Sequence, residues 1–352
     1  GCYPQKVKLR AAALLVSGLL GLGLAAGAQE DPRFEGETVD VSLATVVVRV
    51  VDTWGAPVLD LKPEDFRVRA GRKEIPVAAV DWVSGEEPPP AALAAPPPAG
   101  EEAPAPAPRP GRLVVFFVQA DLNPTRISGQ IRLRPHTRGL LDTLPPDDRV
   151  AVVSYDSHLK LRQDFTQDHE KVYAALDRAM LYNPEDEIVP EGPESLASHF
   201  DLEAARRAAS PERALELTAK ALQPFPGEKT LIFLGWGLGR FGGGGVDMVP
   251  AYRPAVRALA AARASVFVLD VTSADYHSLE VGLQNVADAT GGIYLRTFRL
   301  PGLATKTLAK AISGYYVLTL DKAELPEAKG LLRIELRDGR RGTVIARPVT
   351  VR

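Results

Sequence analysis

One cysteine stands in the 352 residues, at position 2, ahead of an apolar run. It cannot be a lipobox cysteine, and once a leader is removed the remaining chain has no thiol. Disulfides, thiol chemistry and Cys-ligated metals are then excluded, so stability has to come from the core. The five histidines (136, 158, 169, 199 and 277) show no metal spacing, and neither H-E-x-x-H nor G-x-S-x-G occurs. An excess of one charge is also missing. Lys+Arg number 42 against 44 Asp+Glu, a formal net charge of -2, which implies neither a nucleic-acid surface nor an acidic tail.

What is present is an ordinary globular composition, 45% hydrophobic and 24% charged, long enough for more than one domain. Residues 1–28 read as an export signal. Lys6, Lys8 and Arg10 precede the apolar "AAALLVSGLLGLGLA", and Ala26-Gly27-Ala28 offers small residues for cleavage before Gln29. The other reading is an uncleaved membrane anchor over 11–28. Cleavage removes three cations and takes the formal charge from -2 to -5. The expected location is secreted or periplasmic, with no membrane span in the mature chain.

Residues 86–110 carry 10 of the 30 prolines and can form neither helix nor sheet ladder. They read as a linker, with a docking ligand for a Pro-recognising module as the alternative. Before it, a β segment (29–85) has a strand to Val51, a turn at Trp54-Gly55, and two more strands joined by Ala70-Gly71. After it, strands are expected at 113–119, 149–155, 159–163, 229–235, 265–270 and 292–296. Helices are expected near 135–144, 168–180, 195–207, 211–223, 250–263, 277–289 and 302–313. Apolar runs such as "LVVFFV" and "TLIFLG" suit strands buried on both faces. The strands 149–155 and 159–163 are too close for a helical crossover, so the second is an antiparallel edge strand. From Tyr315 three further strands follow. The predicted fold is α/β: a doubly wound, mostly parallel six-stranded sheet (111–314) with one antiparallel edge strand. It is inserted in a small β-sandwich formed by 29–85 and 315–352.

The first strand, polar loop, helix and hairpin "DRVAVVSYDSHLKLRQDFT" resemble the von Willebrand factor type A (VWA) domain. More narrowly, the chain is similar to the VWA-related family found in Acidobacteria. The matching segments are "VVDTWGAPVLDLKPEDFRV" (50–68), Ala287 to Tyr294 with Thr290-Gly291-Gly292, and "YYVL" (315–318). The resemblance implies a Mg²⁺ site on three loops: D-x-S-x-S after the first strand, a Thr between helices, and an Asp after the fourth strand. This chain departs from that pattern. The aspartate position is Gln119, followed by Asp121 and Asn123, and a two-residue slide offers Asp121, Asn123 and Thr125 instead. After "TLIFL" no acid comes until Asp247, and Trp236 cannot ligate. Ser195 and Ser198 stand in for the Thr by rough position. A degenerate metal-ion-dependent adhesion site is expected, with bound Mg²⁺ as the alternative.

Gly235-Trp236-Gly237-Leu238-Gly239 lacks the helix start that a pyrophosphate site needs, because "RFGGGGVDMVP" intervenes. Asp121, Asp156 and Asp270 should stand at carboxyl ends of strands, where paired carboxylates could do acid–base work or simply cap turns. Arg126, Arg132, Arg134, Arg138 and His136 form either a solvated face or a contact for an anionic partner. The expected function is exported, non-enzymatic protein binding through carboxyl-edge loops at 119–128, 156–158, 194–199, 236–248 and 271–277. The named contacts are Gln119, Asp121, Asn123, Arg126, Asp156, Trp236, Arg240 and Phe241. No cofactor is expected beyond possible Mg²⁺, and the partner is a protein of the envelope or exterior. The alternatives are Mg²⁺-dependent adhesion, an exported hydrolase or nucleotide-binding enzyme, and a structural envelope element using the sandwich.

Overall fold

The computed structural model describes residues 43–84, 111–181, 188–190, 192–243, 245–321, 324, 330–337 and 339–351. The expected signal (1–28) and linker (86–110) lie outside them. Four strands come first: β1 (Leu43–Val51), β2 (Phe66–Ala70), β3 (Lys73–Ile75) and β4 (Val77–Ser84). The α/β region begins with β5 (Leu113–Gln119), α1 (Pro124–Leu141), β6 (Arg149–Tyr155), β7 (Leu159–Thr166), α2 (His169–Met180) and α3 (Leu202–Arg206). It continues with α4 (Pro211–Leu222), β8 (Lys229–Gly235), β9 (Arg240–Gly242), β10 (Gly245–Asp247), α5 (Tyr252–Ala261) and β11 (Ala264–Asp270). It ends with α6 (Glu280–Thr290), β12 (Tyr294–Arg296) and α7 (Pro301–Ala311). Four strands close the chain: β13 (Gly314–Asp321), β14 (Gly330–Leu336), β15 (Thr343–Ala346) and β16 (Thr350–Val351).

Every residue of β5 is buried. Leu113, Val115 and Phe117 face a layer shared with α4, α5 and α6, while Val114, Phe116 and Val118 face α1, α2 and α7. Each such side chain contributes roughly 1.5–3 kcal/mol by leaving water, so an uninterrupted apolar run fixes a central strand. The sheet order is β12-β11-β8-β5-β6-β7. All pairs are parallel except β6–β7, which is antiparallel, as the three-residue link requires. From β5 the chain winds outward through β6 and β7, then returns to start again at β8. The crevice between the carboxyl ends of β5 and β8 is therefore the topological switch point, the usual ligand position on an open α/β sheet.

The doubly wound sheet is inserted in a β-sandwich made by both ends of the described chain. One sheet runs β15-β1-β13-β4 and the other β16-β14-β2-β3. Val47 lies opposite Val317, and Val68 opposite Ile334. Tyr316 fills the core against Phe66 and Trp82, with ring centroids at 6.0 and 4.8 Å, and its hydroxyl donates to Val58 O at 2.8 Å. Each end supplies four strands, one more than the sequence pattern suggests. Pro76 and Pro348 account for the difference. Ile75 pairs in one sheet and Val77 in the other, and the chain likewise changes sheets between β15 and β16. A proline has no N–H for a ladder, so it stands where the strand must leave one sheet for the other.

The segments that carry the family resemblance meet where the sandwich docks on the amino edge of the α/β sheet. Asp52 Oδ1 accepts from Trp54 N (2.7 Å) and Ala56 N (2.8 Å), and Gly55 at φ 76° abuts Thr307 of α7. Gly291 closes α6 in the left-handed region, and a Cβ on Gly292 would stand 1.9 Å from Val266 O. Arg49 reaches from β1 to Ser265 Oγ and Gly291 O, both at 3.3 Å, between the rings of Phe267 and Tyr315. Burial pulls its guanidinium down to about 10, against the attraction of Glu228. These motif residues join two modules.

Several helix expectations need correction. The first helix starts at Pro124, not near 135. Asn123 caps it by accepting from Thr125 N at 3.0 Å, Pro124 occupies the first turn, and Pro135 is carried inside. The span 195–207 is a 3-10 turn (Leu196–His199) and the short α3, not one helix. Among the described residues no helix is long and apolar enough to cross a membrane.

Candidate functional site

At the switch point, β5 ends in Gln119 and the chain turns through Asp121 into α1. Gln119 is fully buried. Its Nε2 donates to Gly237 O at 2.9 Å, and its Oε1 accepts from Trp236 N at 3.0 Å and Gly237 N at 3.3 Å. It ties the loop after β8 to the end of β5 and offers nothing to a partner, which corrects its assignment as a contact. Gly235 has no room for a side chain, because a Cβ would come within 2.9 Å of Gln119 Oε1.

The three proposed metal ligands are engaged by the protein. Asp121 Oδ1 accepts from Asn123 N at 2.9 Å, and its Oδ2 pairs with the Arg126 guanidinium. Asn123 Oδ1 accepts both the backbone N–H and the hydroxyl of Thr125, at 3.0 and 2.7 Å. The Arg126 Cζ lies 3.3 Å from the centroid of the Trp236 ring. A guanidinium thus bridges the loops that follow β5 and β8.

Ser195 and Ser198 cannot complete such a site. Ser195 Oγ donates to Asp164, Leu196 N donates to the same carboxylate at 2.7 Å, and Glu194 pairs with Arg149 at 2.6 Å. Because β7 runs antiparallel, Asp164 lies near the start of β6 and so does this loop. Residues 194–199 therefore belong to the amino-end side of the sheet, a correction to their expected place on the carboxyl edge.

Asp156 turns the β6–β7 hairpin. Burial pushes its carboxyl up, but Lys160 at 2.6 Å and Ser157 outweigh that and hold it below its ordinary value. Ser157 Oγ lies 2.9 Å from Asp156 Oδ1 and 3.0 Å from His158 Nδ1. A hydrolytic triad needs the histidine between the other two, whereas here the serine stands between. Asp121 and Asp156 each have their own cation and do not form a carboxylate dyad. The glycine-rich stretch after β8 folds into the β9–β10 hairpin, and α5 opens only at Tyr252, too late to cradle a pyrophosphate. That hairpin carries Arg240 and Phe241 outward, both exposed.

A third grouping escaped the sequence reading. Asp270 ends β11 and is buried, and His277 Nε2 lies 2.7 Å from its Oδ2. Tyr294 donates to that same oxygen at 2.5 Å and approaches Glu280 Oε2 at 3.2 Å. Ligating atoms of Asp270, His277 and Glu280 all lie within 4.8 Å of one another. Burial pushes the Asp270 carboxyl up, but the bonds from His277 and Tyr294 hold it below the usual carboxylate value. Burial and Asp270 push the Tyr294 phenol well up, keeping it a donor. The available signal was a strand-end Asp followed by a His and a Glu three apart at a helix start, a pattern divided between two elements.

No family model matches the chain, and no curated protein sequence matches it. Among solved structures, the chain is similar to the conserved hypothetical protein BatB from Bacteroides thetaiotaomicron. The identity is 16% and the TM-score 0.37, over 57% of this chain and 97% of that one. It is also similar to the PilB minor pilin from Streptococcus sanguinis, at 13% identity and TM-score 0.36, over 59% and 64% of the two chains. A third likeness is to the vWF domain of the type V pili tip protein Mfa5 from Porphyromonas gingivalis. There the identity is 11% and the TM-score 0.36, over 58% and 96%. Likenesses of this strength carry no argument about what the chain does.

Proposed function

We propose that the protein is an exported, non-enzymatic VWA-like binding protein that engages a protein partner through the carboxyl-edge loops, with Arg126 in the place of a divalent cation. One observation carries this reading. Leu122, Phe241 and Tyr276 are 69, 70 and 76% exposed, on loops following β5, β8 and β11, three neighbouring strands. A large apolar side chain alone on a surface is ordinary, but three presented by loops at the same end of adjacent strands offer the kind of surface that contacts proteins. Arg126, Arg240 and Asp121 give it a polar surround, as interfaces commonly have. The export assignment rests on residues 1–28, and the Acidobacteria-type resemblance on the three motif segments.

The test is photo-crosslinking from position 243, exposed and with open space around it, in the native envelope fraction, with the parent and a Leu122→Ser, Phe241→Ser, Tyr276→Ser triple variant. We expect the parent to capture a discrete partner and the triple variant to lose it by more than tenfold, with an unchanged melting temperature. Equal capture by the triple variant, or capture only from probes on the sandwich, would overturn the reading in favour of a structural envelope role.

A further inference from the structure

We propose that Asp270, His277 and Glu280 form a binding site for a first-row transition cation, zinc being the best chemical fit, at the carboxyl end of β11. It lies one strand beyond the crevice that Arg126 fills, and it uses none of the residues expected for a VWA metal site.

The geometry has the parts that such a site needs. The strand supplies one carboxylate at a fixed height. The turn entering α6, closed by Glu280 N to His277 O at 3.2 Å, supplies an imidazole and a second carboxylate three residues apart. To reach the roughly 3.3–3.6 Å edge of a tetrahedron with zinc–ligand bonds near 2.0–2.2 Å, the 2.7 Å contact of His277 with Asp270 has to open slightly and separations of up to 4.8 Å have to close.

Each carboxylate is also oriented from behind. Asp270 Oδ1 accepts from Thr272 N at 2.9 Å, Glu280 is gripped by Arg296 at 2.9 and 3.2 Å, and the Tyr294 hydroxyl spans the two. Outer partners of this kind hold metal ligands in place. The charge balance points the same way. Among the described residues the ion-pair partner of buried Asp270 is His277 alone. Two carboxylates beside one arginine are a donor set that a divalent cation would complement. One nitrogen with two carboxylates suits zinc or its neighbours, while Mg²⁺ prefers six oxygens and keeps its waters.

The test titrates Zn²⁺ alone into the full chain, freed of any affinity tag, by calorimetry and by melting. We expect one zinc per chain, a melting temperature that rises with zinc and falls back with EDTA, and no response to Mg²⁺. His277→Ala and the isosteric Glu280→Gln should each weaken zinc binding more than tenfold while melting like the parent in EDTA. Asp121→Ala should leave zinc affinity unchanged, which separates this site from the Arg126 crevice. Should either variant fail to fold, Co²⁺ in the parent must still give the paramagnetic shift of the His277 ring that direct ligation demands. The proposal is overturned by a parent that does not bind zinc, by either folded variant keeping affinity within twofold, or by a His277 ring that Co²⁺ leaves unshifted.

Discussion

Two arginines lie against aromatic rings at opposite ends of one sheet, and their surroundings could hardly differ more. Arg49, at the amino edge, is 4% exposed, donates to a hydroxyl and a carbonyl, and lies between two ring faces. Arg126, at the carboxyl edge, pairs with Asp121, and both side chains are 26% exposed. The first cation is committed to the fold, because removing it leaves a void and unpaired polar atoms inside the seam. The second lies at solvent, where water can replace much of what is lost. The arginine under the sandwich is held for stability, whereas the one at the carboxyl edge can change at little cost.

That contrast can be broken most severely at Arg49. Arg49→Ala should destabilise the chain by on the order of 2–4 kcal/mol, from the lost packing of its stem and the unpaired Gly291 carbonyl. Arg49→Met keeps the stem, removes the buried charge and should cost less than Ala. Urea unfolding of the full chain measures both. A loss under about 0.5 kcal/mol for Ala would mean that the seam does not depend on this residue. Gly292→Ala sharpens the same point. A Cβ there meets Val266 O, and overpacking of this kind costs about 1–3 kcal/mol. A neutral result would mean that the turn between α6 and β12 can shift freely away from β11.

The same contrast explains what could be read from the sequence. The central strands were legible because burial on both faces leaves an unbroken apolar signature, and the β6–β7 hairpin because its link is too short for a crossover. The three motif segments were legible too, but they mark the seam. Gly55, Gly291 and Gly292 are fixed by close backbone approach, and the sequence does not say against what. The start of α1 was not legible, since Pro135 suits a first turn as well as the interior position it occupies. Pro76 and Pro348 break ladders, but the sequence does not say that the broken strand continues in the facing sheet. Loop 194–199 was misplaced because only the direction of β7 decides which end of the sheet it joins. The Asp270 grouping depends on a strand end meeting a helix start, and Gln119 reads as a surface residue because its three bonds to the β8 loop are not visible in the sequence.

The smallest expected effect lies at Asp121. It accepts the Asn123 N–H and pairs with Arg126, which in turn covers the Trp236 ring. Asp121→Ala should cost about 1 kcal/mol through the loop hydrogen bond. A double-mutant cycle with Arg126→Ala should return a coupling of about 0.2–1 kcal/mol, the range of part-exposed pairs. If the guanidinium stands where a divalent cation would, Mg²⁺ should leave the melting temperature of the parent unchanged, because any ligand that binds only the folded chain must raise it. Removing Asp121 should then neither create nor abolish a Mg²⁺ response. A melting temperature that climbs with millimolar Mg²⁺ in the parent and stays flat in Asp121→Ala would put the ion back at this aspartate and make Arg126 its competitor.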